Sequence, residues 1–136
     1  MAGYSGTPLA KKLGLKPGHL VALINAPDGF ADTLAPLPDG VEIVRSNRGK
    51  RPLNVAVLFT PDAAALQRGF APLAARLDPA GGLWVAWPKK ASGVPTDLSE
   101  AAVRGFGLTC GLVDNKVCAI DETWSGLRFV RRLKDR

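Results

Sequence analysis

The sequence predicts an α/β domain, a mostly parallel sheet covered by helices and ending in an antiparallel hairpin. Three observations lead there. The runs HLVALIN, LNVAVLFT and LWVAWP are apolar throughout, the pattern of strands buried on both faces. Helical spacing separates several of them, and alternation of strand and helix calls for a parallel sheet with right-handed crossovers. The closing segment, LVDNKVCAI then DETWSG then LRFVRRL, reads as two strands around a turn.

Residues 3–6, Gly-Tyr-Ser-Gly, form a flexible lead. Thr7-Pro8 places a cap before a proline, and LAKKLGL then makes a short helix stopped at Gly14. HLVALIN is the first strand. Residues 28–34 predict a short helix, ended by Pro36 and Pro38. VEIVRS is the second strand, followed by the basic loop NRGKRP. Only this short link, with no helix in it, joins the second strand to the third, LNVAVLFT.

Thr60-Pro61-Asp62 repeats the cap-and-proline signature. It opens the longest helix, in which Leu66, Phe70, Leu73 and Leu77 recur at helical spacing and Pro72 should introduce a kink. Residues 78–82 read as a turn into the fourth strand, LWVAWP. The loop KKASGVPT leads to DLSE, read as a capping box with Asp97 as the cap and Glu100 three residues on. That helix runs through Phe106 and ends at Gly107 or Gly111. In the hairpin, strand alternation puts Asp114 and Lys116 on one face and Asn115 on the other. Trp124, in the turn, either covers the core or anchors a partner.

At 136 residues the chain fits a single domain, 1–136, with a lead and short helix over 1–17 and the hairpin over 112–133. Cys110 and Cys118 lack metal-ligand spacing and have one histidine, His19, for company, so no metal site is expected. No apolar run reaches the roughly 20 residues of a membrane span. Residues 1–6 lack a signal-peptide pattern, so a cytoplasmic location is expected. The net charge of +6 suits either solubility or a polyanionic partner.

Two stretches resemble methyltransferases that use S-adenosylmethionine. LGLKPGHLVALINAPDGF is similar to their leader, Pro-Gly, first strand and glycine-containing turn. LNVAVLFTPDAAALQRGFAPLAARLDPAGGLWVAWP is similar to their later strand, long helix and next strand. The resemblance implies a Rossmann-like three-layer fold with strand order 2-1-3-4-6-5, the last strand inserted beside the fourth. GYSGTPLAKKLG, GGLWVAWPKKASGVPTDL and GLVDNKVCAIDETWSGLRF carry a closer likeness, to a family of small bacterial proteins known as domain-of-unknown-function family 3052. That likeness implies a bacterial source and the same fold, and it brings no activity.

In such folds a ligand sits outside the carboxyl ends of the strands. Three segments meet there: residues 25–29, 60–62 and 89–96. They offer Asn25, Asp28, Gly29, Thr60, Lys89, Lys90 and Ser92 as candidate ligand contacts. Asn-Ala-Pro-Asp-Gly is equally ordinary turn chemistry. The loop of Lys89, Lys90 and Ser92 before a helix is either an anion site or a solvated basic loop. The second strand ends in Arg45-Ser46, where an acid would accept from ribose hydroxyls. That counts against S-adenosylmethionine and leaves the cofactor open. No nucleophile elbow or phosphate loop is present, and no catalytic residue is assigned.

The first expectation is therefore a non-catalytic Rossmann-like module for a small anionic or nucleotide-like ligand, leaning away from an enzyme. The alternative is nucleic-acid association through Arg45, Arg48, Lys50 and Arg51 together with Arg131 and Arg132. A second alternative is a methyltransferase dependent on S-adenosylmethionine. Oligomeric state is left open.

Overall fold

The computed structural model describes residues 7–136. The flexible lead expected at 3–6 lies outside them. Six strands form one sheet: β1 Leu20–Ile24, β2 Glu42–Val44, β3 Leu53–Phe59, β4 Leu77–Pro88, β5 Leu112–Ala119 and β6 Trp124–Arg131. The helices are α1 Leu9–Lys12, α2 Ala63–Arg76 and α3 Glu100–Thr109. The strand order is β2-β1-β3-β4-β6-β5, as the resemblance implied. Strands β2, β1, β3 and β4 run parallel, while β6 runs antiparallel to both β4 and β5.

Alternation along the strands builds two cores. Ala56 and Leu58 of β3 face α2 and α3, meeting Leu66, Phe70, Leu73 and Val103. Val55, Val57 and Phe59 face the other way, toward Leu13 just after α1 and toward Phe30 and Leu34. Burial on both sides is why these strands read as unbroken apolar runs. The buried Trp84 indole donates to the Leu13 carbonyl at 3.0 Å and so ties α1 to the sheet.

Four local expectations change. Residues 28–34 do not make an α-helix: after Gly29, at φ +80°, the chain takes a 3-10 turn over Phe30–Leu34. Residues 78–81 belong to an irregular start of β4. Leu77 pairs with Leu53 and Gly82 with Val55, so the intervening residues loop out of register. Gly81 is required there, because a Cβ would fall 2.7 Å from the Leu53 carbonyl oxygen. Helix α3 starts at a different cap: Ser99 Oγ accepts from Ala102 N at 3.1 Å, and Asp97 serves elsewhere. It runs past Gly107 to Thr109, with Gly107 packed against the Phe129 ring.

The hairpin supplies the fourth correction. A bulge in β5 lets Asp114 pair with Phe129 and Lys116 with Arg128. The extra residue, Asn115, flips the faces, so Asp114 and Lys116 point to opposite sides. Asp114 accepts from Arg104 Nε of α3 at 2.9 Å, while Lys116 Nζ donates to the Lys12 carbonyl on the α1 side at 3.4 Å. Among the described residues no helix is long and apolar enough to cross a membrane.

Candidate functional site

The chain leaves β1 for β2 on one side and returns to β3 on the other, so β1 and β3 are neighbours with diverging connections. Their carboxyl ends therefore mark the switch point, outside which open α/β sheets bind ligands. The first segment there is the turn over residues 25–29. Asn25 holds φ +59°, left-handed backbone that asparagine tolerates better than other residues with a Cβ. Gly29 holds φ +80°, and a Cβ built on it meets nothing within 4 Å. Asn25, Asp28 and Gly29 are exposed, and the side chains of Asn25 and Asp28 have no hydrogen-bonding partner among the described residues. Beneath the turn, Phe30 is buried edge-on against Phe59, at 4.8 Å between centroids, and Phe59 meets Trp124 at 5.1 Å. Trp124 thus packs against the core side of the turn region.

The second segment is structural. Thr60 is fully buried, and both its backbone N–H and its hydroxyl donate to the Ala86 carbonyl, at 2.8 and 2.7 Å. That hydroxyl ties β3 to β4 and does not face a ligand. Asp62 Oδ1 accepts from Ala65 N at 2.9 Å and Asp97 Oδ1 from Ala63 N at 2.8 Å. The free amides at the start of α2 are met by the chain's own carboxylates. Of Asp28, Asp62 and Asp97, only Asp28 is uncommitted.

The third segment divides between the faces. Lys89 N donates to the Thr123 carbonyl at 2.7 Å, fixing the loop to the hairpin turn. The Lys89 charge is felt by the Cys118 thiol, on the α1 side of the sheet. Burial pushes that thiol up, with Lys12, Lys116 and Lys89 opposing, so Cys118 stays protonated. Lys90 instead lines a groove of about 640 Å³ with Trp87, Val94, Thr96 and Leu98. Ser92 Oγ donates to the Lys89 carbonyl at 2.7 Å and accepts from Val94 N, so its hydroxyl closes the loop. The groove itself went unread in sequence; Val94, which lines it, is exposed.

The end of β2 carries no acid. Arg45 and Ser46 are exposed, and Glu42 pairs with Arg51 at 2.7 Å. The basic clusters are partly committed as well. Arg131 donates to the Ala74 and Leu77 carbonyls at 2.9 and 3.0 Å, and Arg76 Nε to the Arg51 carbonyl at 3.1 Å. Arg45, Arg48 and Lys50 are exposed, and Arg132 is partly buried.

No protein-family model matches the chain, and no curated protein matches it in sequence. Solved structures do match it in fold. The ribosomal protein L11 methylase from Lactobacillus delbrueckii subsp. bulgaricus superposes with a TM-score of 0.63 at 11% identity, over 91% of this chain and 75% of that one. A complex of DhpI with SAH gives 0.63 at 11%, over 95% and 85%. The N-methyltransferase NodS from Bradyrhizobium japonicum WM9 gives 0.57 at 15%, over 89% of each. The leaning away from an enzyme is thereby corrected, because the L11 methylase and the N-methyltransferase NodS share this architecture over about nine-tenths of this chain.

Proposed function

We propose that this protein binds S-adenosylmethionine beside the turn over residues 25–29 and acts as a methyltransferase. The observation that carries the reading is the turn itself. It sits at the switch point of the sheet, with two left-handed residues and two unpartnered polar side chains facing outward. Membership of family 3052 is part of the same proposal.

The residues present fit the ligand at this turn. Asn25 offers an amide with two donors and an acceptor. Asp28 offers the uncommitted carboxylate, which suits a ligand bearing ammonium and sulfonium charges. Gly29 leaves room for close approach. When bound, S-adenosylmethionine supplies an electrophilic methyl group on a sulfonium. The turn holds and orients it, and the ring stack of Phe30, Phe59 and Trp124 keeps the turn's inner side packed against the core. The end of β2 adds no carboxylate, so acceptor contacts to the ribose fall to the turn.

Titration calorimetry of Asp28→Asn tests the assignment. Loss of a charge-assisted contact is expected to weaken S-adenosylmethionine binding by about tenfold or more, with the melting temperature of the free protein unchanged. Equal affinity in the variant removes Asp28 from the site.

A further inference from the structure

The opposite edge of the sheet, where β1, β3 and β4 begin, carries a second cavity of about 360 Å³. Lys12, Lys16, His19, Asn54, Lys116 and Arg128 line it, and no carboxylate does. Arg128 is the unusual member. It is partly buried, and burial together with Arg136 holds its guanidinium below the ordinary arginine value. Among the described residues the guanidinium has neither an ion pair nor a hydrogen bond. The guanidinium lies flat over Gly82, where a methyl group would collide with it.

Lys116 stands directly across the β5–β6 ladder from Arg128. Like charges in that relation destabilise a sheet, and a partly buried cation without a partner adds to the cost. The other polar groups lining the cavity are also turned to donate. His19 Nδ1 accepts from Lys16 N at 3.2 Å, which leaves Nε2–H as a donor. Asn54 Oδ1 accepts from Leu20 N at 2.8 Å, leaving its amide hydrogens. Asp78 acts on His19 from outside the lining. Cations, free donors and the absence of carboxylates in the lining describe a receptor for an acceptor-only group. The planar fork of arginine matches phosphate oxygens, and the volume is at the low end of small-molecule pockets.

We propose that this cavity binds a small phosphate-bearing molecule, with Arg128 and Lys116 meeting the phosphate and His19 donating to it. It is independent of the ligand assigned to the carboxyl edge. His19 is the chain's single histidine, so its imidazole resonances report on the cavity without ambiguity. Titrating the protein with inorganic pyrophosphate in about 0.15 M salt should move them saturably, with a dissociation constant below about 1 mM. Arg128→Gln and Lys116→Gln should each weaken the binding at least about tenfold. Arg68→Gln, exposed on α2, should leave it unchanged. Free of ligand, Lys116→Gln should melt no lower than the parent, because a like-charge pair is relieved. If Arg128→Gln does not fold, Lys116→Gln carries the test alone. The proposal fails if no saturable shift occurs or if the glutamine variants bind as tightly as the parent. It also fails if a single-stranded oligonucleotide displaces pyrophosphate at lower concentration, which would assign the phosphate to a polymer.

Discussion

Arg128 and Arg131 lie on one strand and serve different purposes. Arg131 points to the α2 side and donates to the Ala74 and Leu77 carbonyls, where the last turn of α2 has no partners of its own. Its charge also suits the negative end of the helix. Arg128 points to the other face and finds no such partner. Arg131→Gln is therefore expected to lower stability by about 1–3 kcal/mol, read as a shift of the urea midpoint. In the sequence both stand in LRFVRRL with nothing local to separate them. Which arginine was structural depended on strand parity and on a helix end more than fifty positions away, and neither is visible locally. The same holds for Thr60, which looked available as a ligand contact and is instead buried with its hydroxyl on Ala86.

At the level of elements, α2 is held at its amino end by two carboxylates. The signature Thr60-Pro61-Asp62 located the start of α2 but named the wrong cap: Asp62, two residues past the expected Thr60, accepts from Ala65 N. Asp97 was not legible in this role. Its neighbours spelled a local capping box for α3, but its side chain reaches back 34 positions to Ala63. The bond joins the loop after β4 to the start of α2. Asp97→Ala should cost about 1 kcal/mol, measured by thermal or chemical melting. The two-residue alternation of β5 failed for a related reason. One inserted residue, Asn115, reverses every face beyond it, and polar residues in an edge strand give no hint of where an insertion falls. Long apolar runs carried the strands correctly because burial on both faces leaves a composition that no turn imitates.

For the molecule as a whole, the strand order followed from family likeness rather than from periodicity, and the sheet has that order. The two ends of the sheet differ in chemistry. The carboxyl end presents Asn25 and Asp28 around an open turn, and the amino end gathers Lys16, His19, Lys116 and Arg128. The turn's position was readable from where an apolar run stopped in Asn-Ala-Pro-Asp-Gly. Its two left-handed residues emerge only from the backbone, and the amino-end cavity draws on α1, the turn before β1, and β3, β4, β5 and β6, segments too scattered for any motif. The basic segments of residues 45–51 and 128–136 both make bonds to the carboxyl end of α2, through Arg76 and Arg131.

The central claim is that the turn over residues 25–29 holds S-adenosylmethionine, and a thermal melt with and without that compound tests it most directly. A ligand that binds only the native state at a hundredfold excess over its dissociation constant adds roughly 2.7 kcal/mol. For a chain of this length that is a rise of about 10 °C in the melting temperature. A rise of that order, smaller in Asp28→Asn at the same concentration, is the predicted result. An unchanged melting temperature at millimolar S-adenosylmethionine would contradict the claim.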